Sequence, residues 1–230
     1  MSAETALIIG TGAGLSASLA RLFAKNGMRI ALAARRADKL AALSAETGAR
    51  AYACDAVRRG DVDALFASVA HDLAAPDIVV YNASSRTRGP LVELDPVEVE
   101  KALMVSCFGG FLVGQAAARA MLARGSGSIL FTGASASVKG YVNSAPFAMG
   151  KFGLRGLAQS MARELAPKNI HVAHFVIDGG IEAADGPRAG GRPDAMLKPD
   201  AIAQSYLAIH RQHRSAWTHE IDLRPYKESF

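Results

Sequence analysis

The segment Ala6–Phe23, ALIIGTGAGLSASLARLF, leaves this chain few architectures. Ala6–Ile9 is an uninterrupted apolar run, the pattern of a central strand buried on both faces. Gly10, Gly12 and Gly14 follow within five residues. Glycines this close together allow a tight turn and let a ligand touch bare main chain. Beyond Gly14 the apolar residues Leu15, Leu19, Leu22 and Phe23 recur with helical period. Strand, glycine turn and helix in that order suit a dinucleotide pyrophosphate, because a helix N-terminus presents free N–H groups and the positive end of its dipole. The spacing reads either as Gly12-x-Gly14-x-x-Ala17 or as Gly10-x-x-x-Gly14-x-Ser16, with serine at the third glycine.

The rest of the chain repeats the alternation. Apolar segments at Met28–Ala34, Arg50–Cys54, Ile78–Tyr81, Ser128–Thr132, Ile170–Ile177 and Glu220–Leu223 read as strands. Between them lie helical patterns at Ala37–Thr47, Gly60–Leu73, Val97–Leu122 (softened at Gly109 and Gly110), Ala145–Leu165 and Asp200–His213. Gly179–Pro199, with its glycines and prolines, reads as a mobile loop over the site. The expected fold class is α/β: a Rossmann-type, doubly wound parallel sheet of about seven strands in one domain spanning 1–230.

Composition narrows the function classes. No apolar run reaches membrane-spanning length, and the first residues lack a basic n-region and an apolar h-region, so a cytoplasmic protein is expected. Cys54 and Cys107 have neither metal-ligand spacing nor a disulfide framework. The six histidines form no metal set: His171 and His174 fall on opposite faces of a strand, and His210 and His213 read as a solvated helix end. The net charge of +5 is spread along the chain without aromatic interleaving, which favours a small anionic ligand over nucleic acid.

After the second strand an NAD site usually carries an acid for the ribose 2′-OH. Here Ala34 is followed by Arg35 and Arg36, and the first acid is Asp38. Arginine beside a helix N-terminus opposes the dipole, and a bound 2′-phosphate removes the conflict. NADP(H) is therefore expected in preference to NAD(H).

These residues, in order, resemble the short-chain dehydrogenase/reductase family over nearly the whole length. Gly10-x-x-x-Gly14-x-Ser16 looks like its glycine motif with the last glycine replaced, and Ala34-Arg35 like its NADP-preferring form. Asp55 matches the acid near the adenine, Tyr81-Asn82-Ala83-Ser84 stands for Asn-Asn-Ala-Gly, and Asp178-Gly179 for Pro-Gly. Lys151 lies in a stretch similar to the active-site helix. The resemblance implies strand order 3-2-1-4-5-6-7, a site at the carboxyl ends of the strands, and cofactor binding by Gly10, Gly14, Ser16, Arg35, Asp55, Asn82 and Lys151. It also implies a homodimer or homotetramer through Val97–Leu122 and Ala145–Leu165, with Ala116, Ala117, Ala118, Ala158 and Ala162 permitting close helix contact.

The resemblance breaks at the chemistry. The family's tyrosine, four residues before the lysine, falls on Phe147; its serine falls on Ala134, beside Ser135; its asparagine falls on Ser106. The longer spacing of enoyl reductases puts tyrosine at Ser144 and fails too. Ser135 and Tyr141 are the candidate replacements as hydrogen-bond or proton donors, with Lys151 or a water it holds as a third source. The expected activity is carbonyl–alcohol oxidoreduction with a non-standard site. A cofactor-binding pseudoenzyme, acting as a sensor or inactive partner, is the rival.

Overall fold

A computed structural model describes residues 3–183 and 194–227. Seven strands form one sheet: β1 Thr5–Ile9, β2 Arg29–Ala34, β3 Arg50–Ala53, β4 Ile78–Tyr81, β5 Gly127–Thr132, β6 Ile170–Ile177 and β7 Glu220–Leu223. Their order is β3-β2-β1-β4-β5-β6-β7, and every pairing is parallel. The order reverses direction between β1 and β4, which opens a crevice at their carboxyl ends.

Helices α1 Leu15–Lys25, α2 Ala41–Thr47, α3 Arg59–Asp72, α4 Pro96–Leu103, α5 Gly109–Arg124, α6 Ala145–Leu165 and α7 Pro199–His210 connect the strands. Two apolar clusters result, one per face of the sheet. Leu7, Val79, Phe131 and Leu154 belong to the cluster that packs α3, α5 and α6. Ile8, Val80, Leu19 and Tyr206 belong to the one that packs α1 and α7. The central strands β1 and β4 are buried along their entire length, as an uninterrupted apolar run requires.

Several expectations are corrected. The stretch 37–47 is not one helix: a 3₁₀ turn over Ala37–Leu40 precedes α2. The long pattern 97–122 is continuous from Pro96 to Arg124 but contains a π-helical turn at Met104–Phe108. Gly109 and Gly110 make room there, because a Cβ on Gly109 would overlap the Tyr81 hydroxyl and one on Gly110 the Leu154 side chain. By length and composition Pro96–Arg124 is apolar enough to cross a membrane, contrary to the sequence reading. Its small residues Gly109, Gly110, Gly114, Ala116 and Ala117 are instead buried within the fold.

The alanines expected to admit a second copy also face inward. Ala116, Ala117, Ala158 and Ala162 belong to the chain's own core, and Ala118 packs against it. The large apolar residues exposed on these helices are Val97, Phe108, Phe111, Leu122, Met149 and Phe152. Nor is His210 a solvated helix end: it ends α7, nearly buried, bonded to Ser128 and Glu4, while His213 lies beyond the helix and caps a 3₁₀ turn. Of the loop expected at Gly179–Pro199, residues 184–193 lie outside the described residues. Its flanks pair with each other through Ile181 and Leu197.

Candidate active site

The glycine turn joins β1 to α1. Gly10 has φ +85°, and a Cβ there would overlap the backbone of Ala83, so the turn can close on the β4 loop only with glycine. Gly12 and Gly14, by contrast, face open space. Gly14 is the N-cap of α1; no side chain caps that helix and no acid sits in its first turn. The first N–H groups are left to a ligand, the arrangement that suits an anion.

Ser16, at the third-glycine position, is buried. Its hydroxyl donates to the Gly10 carbonyl (3.2 Å) and accepts from Asn82 Nδ2 (2.7 Å), while Asn82 N donates to the Ile9 carbonyl. Gly10, Ser16 and Asn82 thus form one unit across β1, α1 and β4. Gly10 and Asn82 line a cavity of about 640 Å³ with Asp55, Arg35, Arg36 and Lys39. Asp55 accepts from Val57 N and so shapes the turn after β3. Arg36 pairs with Asp38 at 3.1 Å. Lys39, which sequence reading passed over, reaches the same cavity because the 3₁₀ turn brings it back towards Arg35.

Lys151 lies on α6 and is only 2% exposed. Its Nζ donates a 2.7 Å hydrogen bond to the Thr132 carbonyl at the end of β5. Burial, and then the charge of Arg86, lower its pKa to about 7. Phe147, one turn earlier on the same helix face, is buried, with its ring centroid 5.9 Å from Lys151 Nζ. Arg86, in the loop after β4, lies over that ring with its Cζ 4.3 Å from the centroid. Ser106 Oγ sits in the π-helical turn and bonds the Ser85 main chain, accepting from N (3.2 Å) and donating to O (3.3 Å).

The two candidate donors are tied to a different group. Ser135 hydrogen-bonds the Asp178 carboxylate, which also pairs with Arg224 and with Lys139 Nζ (3.6 Å). Burial pushes the Asp178 carboxyl up, but the Ser135 hydroxyl and the two cations outweigh it and hold it below the usual carboxylate range. Tyr141 is half exposed, its ring 5.8 Å from Lys139 Nζ. Ser135 is thus bonded to Asp178, and the Tyr141 ring lies near Lys139, the cation that pairs with that carboxylate.

Sequence reading missed a buried chain behind the site. Ser137 Oγ accepts from Ala134 N (3.1 Å) and contacts His174 Nε2 (3.3 Å); His174 Nδ1 contacts Glu220 (3.2 Å), which Arg155 grips with two bonds of 2.7 and 2.6 Å. The ionised Glu220 can only accept, so the imidazole carries its proton on Nδ1 and takes the Ser137 hydroxyl on Nε2. Burial lowers the His174 pKa to about 4 against the opposing pull of Glu220.

A cavity at the carboxyl ends of β1, β2, β3 and β4 and a bare helix N-terminus behind a glycine turn define a nucleotide-binding α/β protein, with Lys151 bonded at the end of neighbouring β5. More narrowly, the chain belongs to the short-chain dehydrogenase/reductase family, whose model, described as short chain dehydrogenase, matches residues 4–184. It is 28% identical over 228 residues to D-threitol dehydrogenase of Mycolicibacterium smegmatis, covering 91% of this chain and 86% of that protein. Among solved structures, a short-chain dehydrogenase from Rhodopseudomonas palustris is 37% identical with TM-score 0.82, covering 96% of this chain and 99% of that one. A metagenomic short-chain oxidoreductase in complex with NADP is 27% identical with TM-score 0.85 and 98% of both chains covered. Members of the family bind a nicotinamide cofactor, and the relatives are oxidoreductases.

Proposed function

We propose that this chain is an NADP(H)-dependent oxidoreductase that interconverts a carbonyl and an alcohol with Phe147 in place of the family's tyrosine. One observation carries the cofactor preference: Arg35, Arg36 and Lys39 line the same cavity as Gly10 and Asn82, with Asp55 the acid that shares it. A 2′-phosphate would neutralise this cationic end. The NADP complex of the metagenomic relative agrees with that choice. The residues fit the dinucleotide in shape as well, since Gly12 and Gly14 leave open space at an uncapped helix N-terminus.

When bound, the reduced dinucleotide supplies a hydride. The protein must then place a proton, or strong hydrogen bonds, on the carbonyl oxygen. The phenyl ring of Phe147 offers neither. Lys151 has three N–H donors, one of them spent on Thr132. The others are free for the nicotinamide ribose and for the substrate oxygen. With a pKa drawn to about 7 by burial and then by Arg86, Lys151 can release a proton at Nζ near neutral pH and regain it from solvent. Ser135 and Tyr141 act at the substrate end only by way of the Asp178 cluster.

Titration of the purified protein with NADPH and with NADH tests this reading. NADPH is expected to bind at least about tenfold more tightly, with Arg35→Ala removing most of the difference. No binding of either would end it. The second reading, a cofactor-binding pseudoenzyme, is favoured by the missing hydroxyl at Phe147. A homodimer or homotetramer through the exposed faces of α4–α5 and α6 belongs to both readings and is tested by light scattering.

A further inference from the structure

Most arginines among the described residues that reach a neighbour reach a carboxylate: Arg21 pairs with Glu46, Arg59 with Asp63, Arg124 with Asp77 and Arg155 with Glu220. Arg86 does not. The charge acting on it is that of Arg88, which together with burial lowers its pKa. The charge acting on Lys151 is that of Arg86. Two cations therefore lie within 6 Å of the centroid of one buried ring, Phe147, and among the described residues neither has a carboxylate partner. Arg86 is exposed while Lys151 is buried, so an anion arriving beside the ring meets one solvent-accessible cation and one desolvated one, neither neutralised by a carboxylate of the described residues.

The placement of Arg86 over the ring also bears on which atoms are available. With its Cζ 4.3 Å from the ring centroid, the guanidinium spends no N–H on a carboxylate of the described residues, which leaves donors for a ligand. A planar carboxylate, with two oxygens matched to the guanidinium fork, is the anion such a group recognises best. Phe147 meets the guanidinium as a plain hydrocarbon ring, with no hydroxyl that would itself bond it.

We propose that Arg86, held over Phe147 beside Lys151, is the seat for a substrate carboxylate, so that the compounds turned over are oxo acids or hydroxy acids rather than neutral carbonyl compounds. This rests on reading the crevice as the carbonyl site. It adds a substrate class to that reading.

The test is calorimetric titration of NADPH-saturated protein with 3-oxobutanoate and 3-oxooctanoate, each against its methyl ester. At least one acid is expected to bind about 10- to 100-fold more tightly than its ester, an advantage that Arg86→Ala abolishes and Arg86→Lys only partly restores. Arg88→Ala should change acid binding at most about threefold, because its charge acts at longer range. Failure of both acids to bind at millimolar concentration, equal binding of acid and ester, or an equal loss in Arg88→Ala would overturn the proposal. Competition between the acids and NADPH would overturn it too, by assigning the two cations to the cofactor. Acid binding without oxidation of NADPH would keep the carboxylate seat and remove the reductase. Oxidation of NADPH by the esters, unchanged in Arg86→Ala, would do the reverse.

Discussion

Asn82 donates a 2.7 Å hydrogen bond through Nδ2 to the Ser16 hydroxyl, joining positions 66 apart in sequence. The same hydroxyl donates to the Gly10 carbonyl, so the serine that replaces a motif glycine braces the turn it interrupts. Ser16→Ala removes the acceptor of the Asn82 amide and the donor of Gly10 together. It should cost about 1–2 kcal/mol, read as a fall of roughly 2–6 °C in Tm, and should weaken NADPH binding severalfold. Unchanged Tm and affinity would show that the brace is incidental.

Lys151 gives two pH signatures. Its pKa of about 7, set first by burial and then by Arg86, lies below that of an unfolded lysine. The unfolded chain therefore holds more protons between about pH 7 and pH 10, and stability rises with pH across that window. Lys151→Met removes the buried charge, so its Tm advantage over the wild type should be largest below pH 7 and shrink towards pH 10. Carbonyl reduction, which needs the protonated amine, should slow as pH rises through about 7. A rate that stays level to pH 9 would exclude Lys151 as the proton donor.

His174 makes the fold acid-sensitive. Burial holds its pKa near 4, below the unfolded value of about 6.5, so stability is complete above the unfolded pKa and is lost as pH falls towards 4. His174→Gln keeps a polar side chain between Ser137 and Glu220 but does not titrate. It should cost about 1–3 kcal/mol at pH 7 and flatten the decline between pH 6.5 and 4. Melting curves at several pH values decide the matter, and parallel declines would remove His174 as the cause.

Phe147→Tyr places a hydroxyl on the ring one helical turn from Lys151 and beside Arg86. Two nearby cations would lower its pKa and make it an effective acid. If Phe147 occupies the place of the family's tyrosine, turnover should rise by about 10²- to 10³-fold. An active wild type that gains nothing from the new hydroxyl would favour a proton route through Lys151.

The sequence by itself determined the alternation of strands and helices, and with it the doubly wound sheet. Apolar runs such as Ile78–Tyr81 and Ile170–Ile177 can be buried on both faces in no other way, and the glycine turn before Leu15 marks where the crevice opens. The places of Gly10 in the turn after β1, Asn82 after β4 and Lys151 on the helix before β6 were legible because motif spacing follows local backbone geometry. Which way a helix faces was not legible. Ala116 and Ala158 suit either a partner or the core, and only packing against the chain's own strands decided for the core. The placement of Arg86 over Phe147, and the chain from Ser137 through His174 to Glu220, join residues from separate loops, strands and helices. Such contacts leave no periodic trace in sequence, because they depend on where side chains converge after the sheet has formed, and there the tertiary structure alone decides.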